Sequence, residues 1–273
     1  MREYKLIALD LDGTLLDDEK KISKKNISAV QKAIERGKTV IFNTGRCPAE
    51  IEEYLELLEG VRYVNSMSGA LVFDSRNDKI IYSKPLESDM VKKLMEISLK
   101  EECMLHFMKK LSIVQRDEIP KMSNYGMQKY QKMYERVTTK WENLVEEYYQ
   151  NPFPVEKLNI YFTSAESRQR TKERILEAGL EAEMMYAEES SLEICEKGVD
   201  KGIGLQKLCD YLQIPIEDTI VLGDADNDYP ALKAAGLGVA MGNANERLKG
   251  IADVVAKDNN HDGCAQIIEE YLL

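Results

Sequence analysis

Lys5-Leu6-Ile7-Ala8-Leu9-Asp10-Leu11-Asp12-Gly13-Thr14 opens the chain with an apolar run that stops at two aspartates. A short apolar run bounded by a turn signal reads as a buried strand, and Asp-Leu-Asp-Gly at its carboxyl end reads as the turn that leaves it. Along an extended chain the side chains at i and i+2 point the same way, so Asp10 and Asp12 are expected to face one spot. Two like charges held together call for a cation or for one protonated carboxyl, and both conditions suit a metal-assisted or acid/base site. An Asp-Gly turn with helix-capping acids accounts for the same residues without chemistry.

Outward from this stretch, Thr39-Val40-Ile41-Phe42-Asn43 reads as a second strand, and Ile27, Val30, Ala33 and Ile34 recur at helical spacing ahead of Gly37. Pro48, then Ile51, Tyr54, Leu55 and Leu58, then Gly60 marks another helix, and 63–67 a third strand. The segments 70–74 and 79–83 flank Ser75-Arg76-Asn77-Asp78 as a β-hairpin. From residue 85 to 188 the alternation changes. Helical stretches at 89–101, 123–149 and 166–178 mix with strand-like pieces at 103–107, 111–115, 158–162 and 182–187, which reads as an α+β insertion. Leu205, Leu208, Cys209 and Leu212, followed by the apolar segments 219–223, 238–241 and 253–256, restore the βα order. The expected fold is α/β: residues 1–84 and 189–273 form a Rossmann-like, doubly wound core on a mostly parallel sheet, and 85–188 form the insertion. Ligands of such a sheet bind beyond the carboxyl ends of its strands.

A length of 273 residues accommodates two such bodies, and 44% hydrophobic with 31% charged residues is ordinary for a soluble globular chain. With 37 basic and 48 acidic residues the net charge is -11, which repels nucleic acid and anionic lipid and leaves a small anionic substrate in need of a local cation. No stretch reaches the ~18 apolar residues of a membrane span, and the first apolar run is too short for a signal peptide, so the expected location is the cytoplasm. The five cysteines (Cys47, Cys103, Cys195, Cys209 and Cys264) are widely spaced with no CxxC pair and read as reduced thiols. A catalytic Cys47 would need a base, and the chain has two histidines, His106 and His261.

Three further expected strand ends carry polar residues. Asn43-Thr44-Gly45-Arg46 offers a hydroxyl, backbone N–H groups and a guanidinium to an anion, or simply an N-cap and a surface arginine. Lys201 follows the apolar segment 191–195 and sits in the first turn of a helix; a lysine is usually a solvated surface charge, but a cation here opposes the helix dipole, a misplacement that points toward a functional cation. Gly223-Asp224-Ala225-Asp226-Asn227-Asp228 concentrates carboxylates that suit Mg²⁺, although Asp228 also fits a helix cap and Asp226 a solvent-facing position. Converging acids, a hydroxyl and a lysine describe a phosphoryl-transfer pocket better than a carbonyl or redox site.

The Asp-Leu-Asp-Gly-Thr stretch, the Thr-Gly-Arg after the second strand, the isolated Lys201 and the Gly-Asp-Ala-Asp-Asn-Asp box resemble, in order and spacing, the haloacid dehalogenase superfamily. The insertion between Thr44 and Lys201 looks like the cap of the Cof-type, subfamily IIB, phosphatases. That resemblance implies Asp10 as nucleophile and Asp12 as the group that protonates the leaving oxygen and then activates water. It implies Mg²⁺ on the Asp10 carboxylate, the Asp12 backbone carbonyl and Asp224, with Asp228 nearby. Thr44, Gly45, Arg46, Lys201 and Asn227 would bind the phosphoryl group, and Thr14 would brace the loop. Cys47 stands where the family often has proline, which leaves the aim of Arg46 open. The implied substrate is a small phosphate ester such as a sugar phosphate, acted on by a monomer or homodimer. A phosphomutase would share nucleophile and fold but needs a second set of phosphate-binding cations in its cap. A phospho-aspartate storage module would have no use for Asp12.

Overall fold

The computed structural model describes residues 3–186 and 189–273. The first two residues of the expected core, Ala187 of the strand-like piece and the expected end of the insertion at 188 lie outside the described residues. In chain order the elements are β1 (Leu6–Leu9), α1 (Lys24–Glu35), β2 (Thr39–Asn43), α2 (Glu52–Leu57), β3 (Tyr63–Ser66), β4 (Leu71–Asp74) and β5 (Lys79–Ser83). There follow α3 (Ser88–Ser98), β6 (Cys103–Met108), β7 (Ser112–Gln115), α4 (Gln131–Val137), β8 (Thr139–Trp141), α5 (Leu144–Gln150), β9 (Lys157–Phe162), α6 (Ala165–Glu177), β10 (Ala182–Met185) and β11 (Ser191–Glu196). The last are α7 (Lys201–Leu212), β12 (Thr219–Gly223), α8 (Tyr229–Ala234), β13 (Leu237–Ala240), α9 (Glu246–Lys249), β14 (Val254–Val255) and α10 (Gly263–Ile267).

The chain divides into two compact units. The first holds Met1–Gly45, Glu53–Ser83 and Val199–Leu273. Its sheet runs in the order β14-β13-β12-β1-β2-β3-β4-β5. Pairing is parallel from β14 to β3 and antiparallel through the β3–β4–β5 hairpins. Every residue of β1, β12 and β13 is buried, which is why these strands read as continuous apolar runs instead of alternating ones. On one face Leu205, Leu208 and Cys209 of α7 with Ala231 and Leu232 of α8 pack on Leu6, Ala8, Ile41 and Val221. Helix α1, capped by Ser23 and burying Ala29, Val30 and Ala33, packs with β2 and α10. The doubly wound α/β core is as expected.

The second unit holds Arg46–Glu52 and Lys84–Gly198. Its sheet, ordered β10-β11-β9-β6-β7-β8, is antiparallel apart from the β7–β8 pair. Leu105, Phe107, Leu158, Ile160, Leu192 and Ile194 alternate onto one face, against Val91, Leu94 and Met95 of α3 and Ile175 of α6. The opposite face carries Met104, Val114 and Tyr161 beneath Met122, Tyr125 and Tyr134. Two expectations change here. The stretch 123–149 is not one helix: Gly126 adopts a left-handed φ of 70° after the 3₁₀ segment Arg116–Tyr125, and Thr139–Trp141 leaves the helical state to pair with β7. The β-branched run Val137-Thr138-Thr139 favours that extension. Second, β11 pairs with β9 and β10, so the chain stays in the second unit through Gly198 and the core resumes at Val199, past the expected residue 189.

Candidate active site

The turn after β1 places the first acid. Asp10 N–H donates to the Leu222 carbonyl of β12 at 3.2 Å, while the Asp10 carbonyl accepts from Leu15 N–H, so the loop closes on itself. Gly13 has a φ of +78°, and a Cβ there would lie 2.4 Å from Asp224 Oδ2; only glycine lets the two acidic loops approach this closely. The buried Thr14 hydroxyl donates to Asp224 Oδ1 at 3.1 Å and ties the same loops together. The turn after β12 is built the same way. Asp228 Oδ2 accepts from the backbone N–H groups of Asp224 and Ala225, and Gly223 leaves the space that Asp228 occupies.

Lys201 is the first residue of α7, whose N-cap Asp200 accepts from Ile203 N–H. Its ammonium is fully buried and donates to Asp10 Oδ1 at 2.7 Å and to Asp228 Oδ1 at 2.6 Å. Burial opposes that charge, yet the two carboxylates outweigh it and hold the lysine protonated, its pKa raised. Asp10 is pushed the other way: burial raises its pKa well above the carboxylate range, Lys201 offsets part of this, and Asp228 and Asp224 add to it. Asp224 is raised to about 7, by burial first and then by Asp228.

Asp10, Asp224 and Asp228 each offer a carboxylate oxygen within 4.8 Å of the others. When ionised, these carboxylates outnumber the single charge of Lys201, and the repulsion from Asp228 adds to burial in raising Asp224. Beside them Asn227 Oδ1 is buried with no hydrogen-bond partner. Hard oxygen donors with excess negative charge fit a divalent cation such as Mg²⁺.

Asp12 is not in that group. β1 ends at Leu9, so the strand alternation expected to align Asp12 with Asp10 does not reach it. The half-buried Asp12 carboxylate instead pairs with Lys20 at 2.7 Å, and Tyr54 Oη donates to the Lys20 carbonyl. Lys20 lies in a run of basic residues and carries no sequence signal of this role. Thr44, buried at the end of β2, donates its N–H to the Asn65 carbonyl and accepts from Ser68 N–H. Gly45 ends the first unit's segment there. Arg46 belongs to the second unit, where its guanidinium donates to the Glu50 carbonyl and lies against Met133 Sδ. Lys201 also departs from expectation, since the strand before it, β11, is not in the parallel sheet; the start of α7 alone delivers it. Asp226 is half exposed, near Arg247.

A family model for haloacid dehalogenase-like hydrolases matches residues 7–268. The chain belongs to that family. Its relatives include two Bacillus subtilis proteins, both named 5-amino-6-(5-phospho-D-ribitylamino)uracil phosphatase. One is 30% identical, covering 97% of each chain. The other is 29% identical, covering 99% of this chain and 97% of its own. A haloacid dehalogenase-like hydrolase from Bacteroides thetaiotaomicron superposes with a TM-score of 0.85 at 26% identity, covering 98% of this chain and 99% of its own. This is a Cof-type member of the family and a phosphoric monoester hydrolase. Among the described residues no helix is long and apolar enough to cross a membrane.

Proposed function

We propose that this chain hydrolyses small phosphorylated metabolites, sugar and polyol phosphates among them, by way of an aspartyl-phosphate on Asp10. The observation that carries the reading is the buried Lys201 ammonium, held at once on Asp10 and on Asp228 of the acidic cluster. A lysine bonded there stands ready to neutralise phosphoryl oxygens arriving in front of Asp10. Asp10, Asp224, Asp228 and the Asp12 backbone carbonyl would hold Mg²⁺, which when bound screens the charge that separates a carboxylate from a phosphate.

In the first half-reaction an Asp10 carboxylate oxygen forms a bond to phosphorus as the ester P–O bond breaks, and the leaving oxygen takes a proton from Asp12. In the second, Asp12, now ionised, removes a proton from water as that oxygen bonds to phosphorus; the Asp10–phosphorus link breaks and inorganic phosphate leaves. Asp12 is suited to both turns because its carboxyl is partly exposed, within reach of alcohol and water, whereas Asp10 is buried. Thr44, Gly45, Arg46 and Asn227 are the residues we assign to the remaining contacts with the phosphoryl group. The second unit we read as the family's cap domain.

The proposed setting is the cytoplasm, on composition, and the proposed assembly a monomer or homodimer. The ribityl phosphate in the names of the two Bacillus relatives makes polyol phosphates the first substrates to try. The test is phosphate release from p-nitrophenyl phosphate and a panel of sugar, polyol and nucleotide phosphates, with Mg²⁺ and with EDTA. Mg²⁺-dependent release supports the reading; release only with a bisphosphate activator, or none from folded protein, sinks it.

A further inference from the structure

Asn43 and Asn65 are register partners on the parallel strands β2 and β3, and both are fully buried. Asn65 Nδ2 donates to Asn43 Oδ1 at 2.6 Å and to the Lys201 carbonyl at 2.8 Å. The Asn65 backbone carbonyl accepts from Thr44 N–H at 2.8 Å. One residue therefore holds two segments that carry phosphoryl-binding groups. The packing is cut to it: a Cβ on Gly204, in the first turn of α7, would lie 2.0 Å from Asn65 Oδ1. The loop leaving β3 follows the same line, with Gly69 so close that a Cβ would meet the Asp200 carbonyl at 1.9 Å.

The pair is expensive as core. Asn43 Nδ2 and Asn65 Oδ1 are buried with no hydrogen-bond partner, a cost that two apolar side chains of the same size would avoid. Its return is positional, because Lys201 leaves the helix at the residue whose carbonyl Asn65 grips. We propose that Asn65, braced by Asn43, is a positioning residue that fixes the first turn of α7 and so sets the Lys201 ammonium against Asp10. The inference rests on the reading of Lys201 as a phosphoryl-binding cation.

The experiment is steady-state kinetics of Asn65→Ala, Asn43→Ala and the double variant on p-nitrophenyl phosphate with Mg²⁺, at a temperature where circular dichroism shows each folded. Asn65→Ala is expected to lower kcat about tenfold with KM within about twofold, since ground-state binding survives while the lysine loses its aim. The double variant is expected within about twofold of Asn65→Ala alone, because Asn43 acts through Asn65. Gly204→Ala keeps Asn65 but crowds its amide and is expected to reproduce the loss; Asn65→Ser, too short for the Lys201 carbonyl, serves if Asn65→Ala does not fold. A kcat within about twofold of wild type in folded Asn65→Ala or Asn65→Ser overturns the proposal. Collapse of every variant also overturns it, for the pair would then carry the fold and not the lysine. A wild type without turnover removes the phosphatase reading and this inference with it, whereas an active wild type with an equally active Asn65→Ala removes this inference alone.

Discussion

Replacing Lys201 with methionine keeps an unbranched side chain, one atom shorter, and removes its charge. The ammonium lies 2.7 Å from Asp10 and 2.6 Å from Asp228 in a fully buried position, so neither contact is screened as a surface pair would be. At an effective dielectric of ~20, one such contact is worth about 6 kcal/mol of Coulomb attraction, most of it offset by desolvation. The measurable cost of deleting one partner of a buried pair is about 3 to 5 kcal/mol. Protonation of the stranded carboxylates limits that cost, and Asp10 and Asp224, already raised, take up protons readily. Metal-free Lys201→Met should thus lose about 3 kcal/mol in urea denaturation at neutral pH, which a domain of ordinary stability survives. On the rate, loss of one preorganised charge contact is expected to lower kcat by about 10² to 10³. Urea titration followed by circular dichroism and Mg²⁺-saturated kinetics on p-nitrophenyl phosphate measure the two effects. A kcat within about threefold of wild type would refute the reasoning, because the buried lysine would then be balancing charge and nothing more.

Asp10→Asn should remove detectable turnover while leaving the circular dichroism spectrum and the Lys201 contact to Asp228 in place; turnover near wild type in the purified variant would point to another nucleophile. Gly13→Ala combines a left-handed backbone with a Cβ on Asp224, so it should weaken Mg²⁺ activation by about tenfold or more, and an unchanged Mg²⁺ titration would contradict that. In the second unit His106 bonds Ser112 and Tyr134, and burial with Lys157 nearby depresses its pKa to about 3. Its folded pKa lies below the unfolded one, so the unfolded state binds the proton more tightly and stability falls as pH drops below ~6.5; the loss is about 2 kcal/mol between pH ~7 and ~5. Glu50, raised by burial, acts with the opposite sign and trims the effect. His106→Gln should flatten this dependence in urea titrations at the two pH values, and a slope equal to wild type would rule the histidine out as its source.

The parallel core was legible because its strands are buried on both faces and read as unbroken apolar runs, each ending in polar residues at a turn. The same logic picked out Asp10, Thr44, Asp224 and Asp228, whose loops leave those strands. Lys201 was legible through its misfit with the helix dipole and its place in the motif order, but its apparent strand, Ser191–Glu196, belongs to the other sheet. Apolar pattern tells that a segment is a buried strand but not which sheet it joins. The strand alternation invoked for Asp12 stops at Leu9, and the contact of its carboxylate with Lys20 lies across a loop whose path no periodicity encodes. Asn65 was missed altogether, since a lone amide in an apolar strand shows its purpose only once Asn43 and α7 are packed around it. The break in 123–149 turned on Gly126 and a β-branched run, weak signals beside the length of the apparent helix.

The central claim is the covalent intermediate, and chemical trapping tests it most directly. Folded protein mixed with Mg²⁺ and excess substrate is quenched in acid during turnover, reduced with borohydride and mapped by peptide mass spectrometry. Reduction converts an acyl phosphate, but not a free carboxyl, to the alcohol, so the account predicts homoserine at position 10 and none in Asp10→Asn. Unmodified Asp10 during confirmed turnover, or reduction at Asp12 or Asp224 instead, would contradict it.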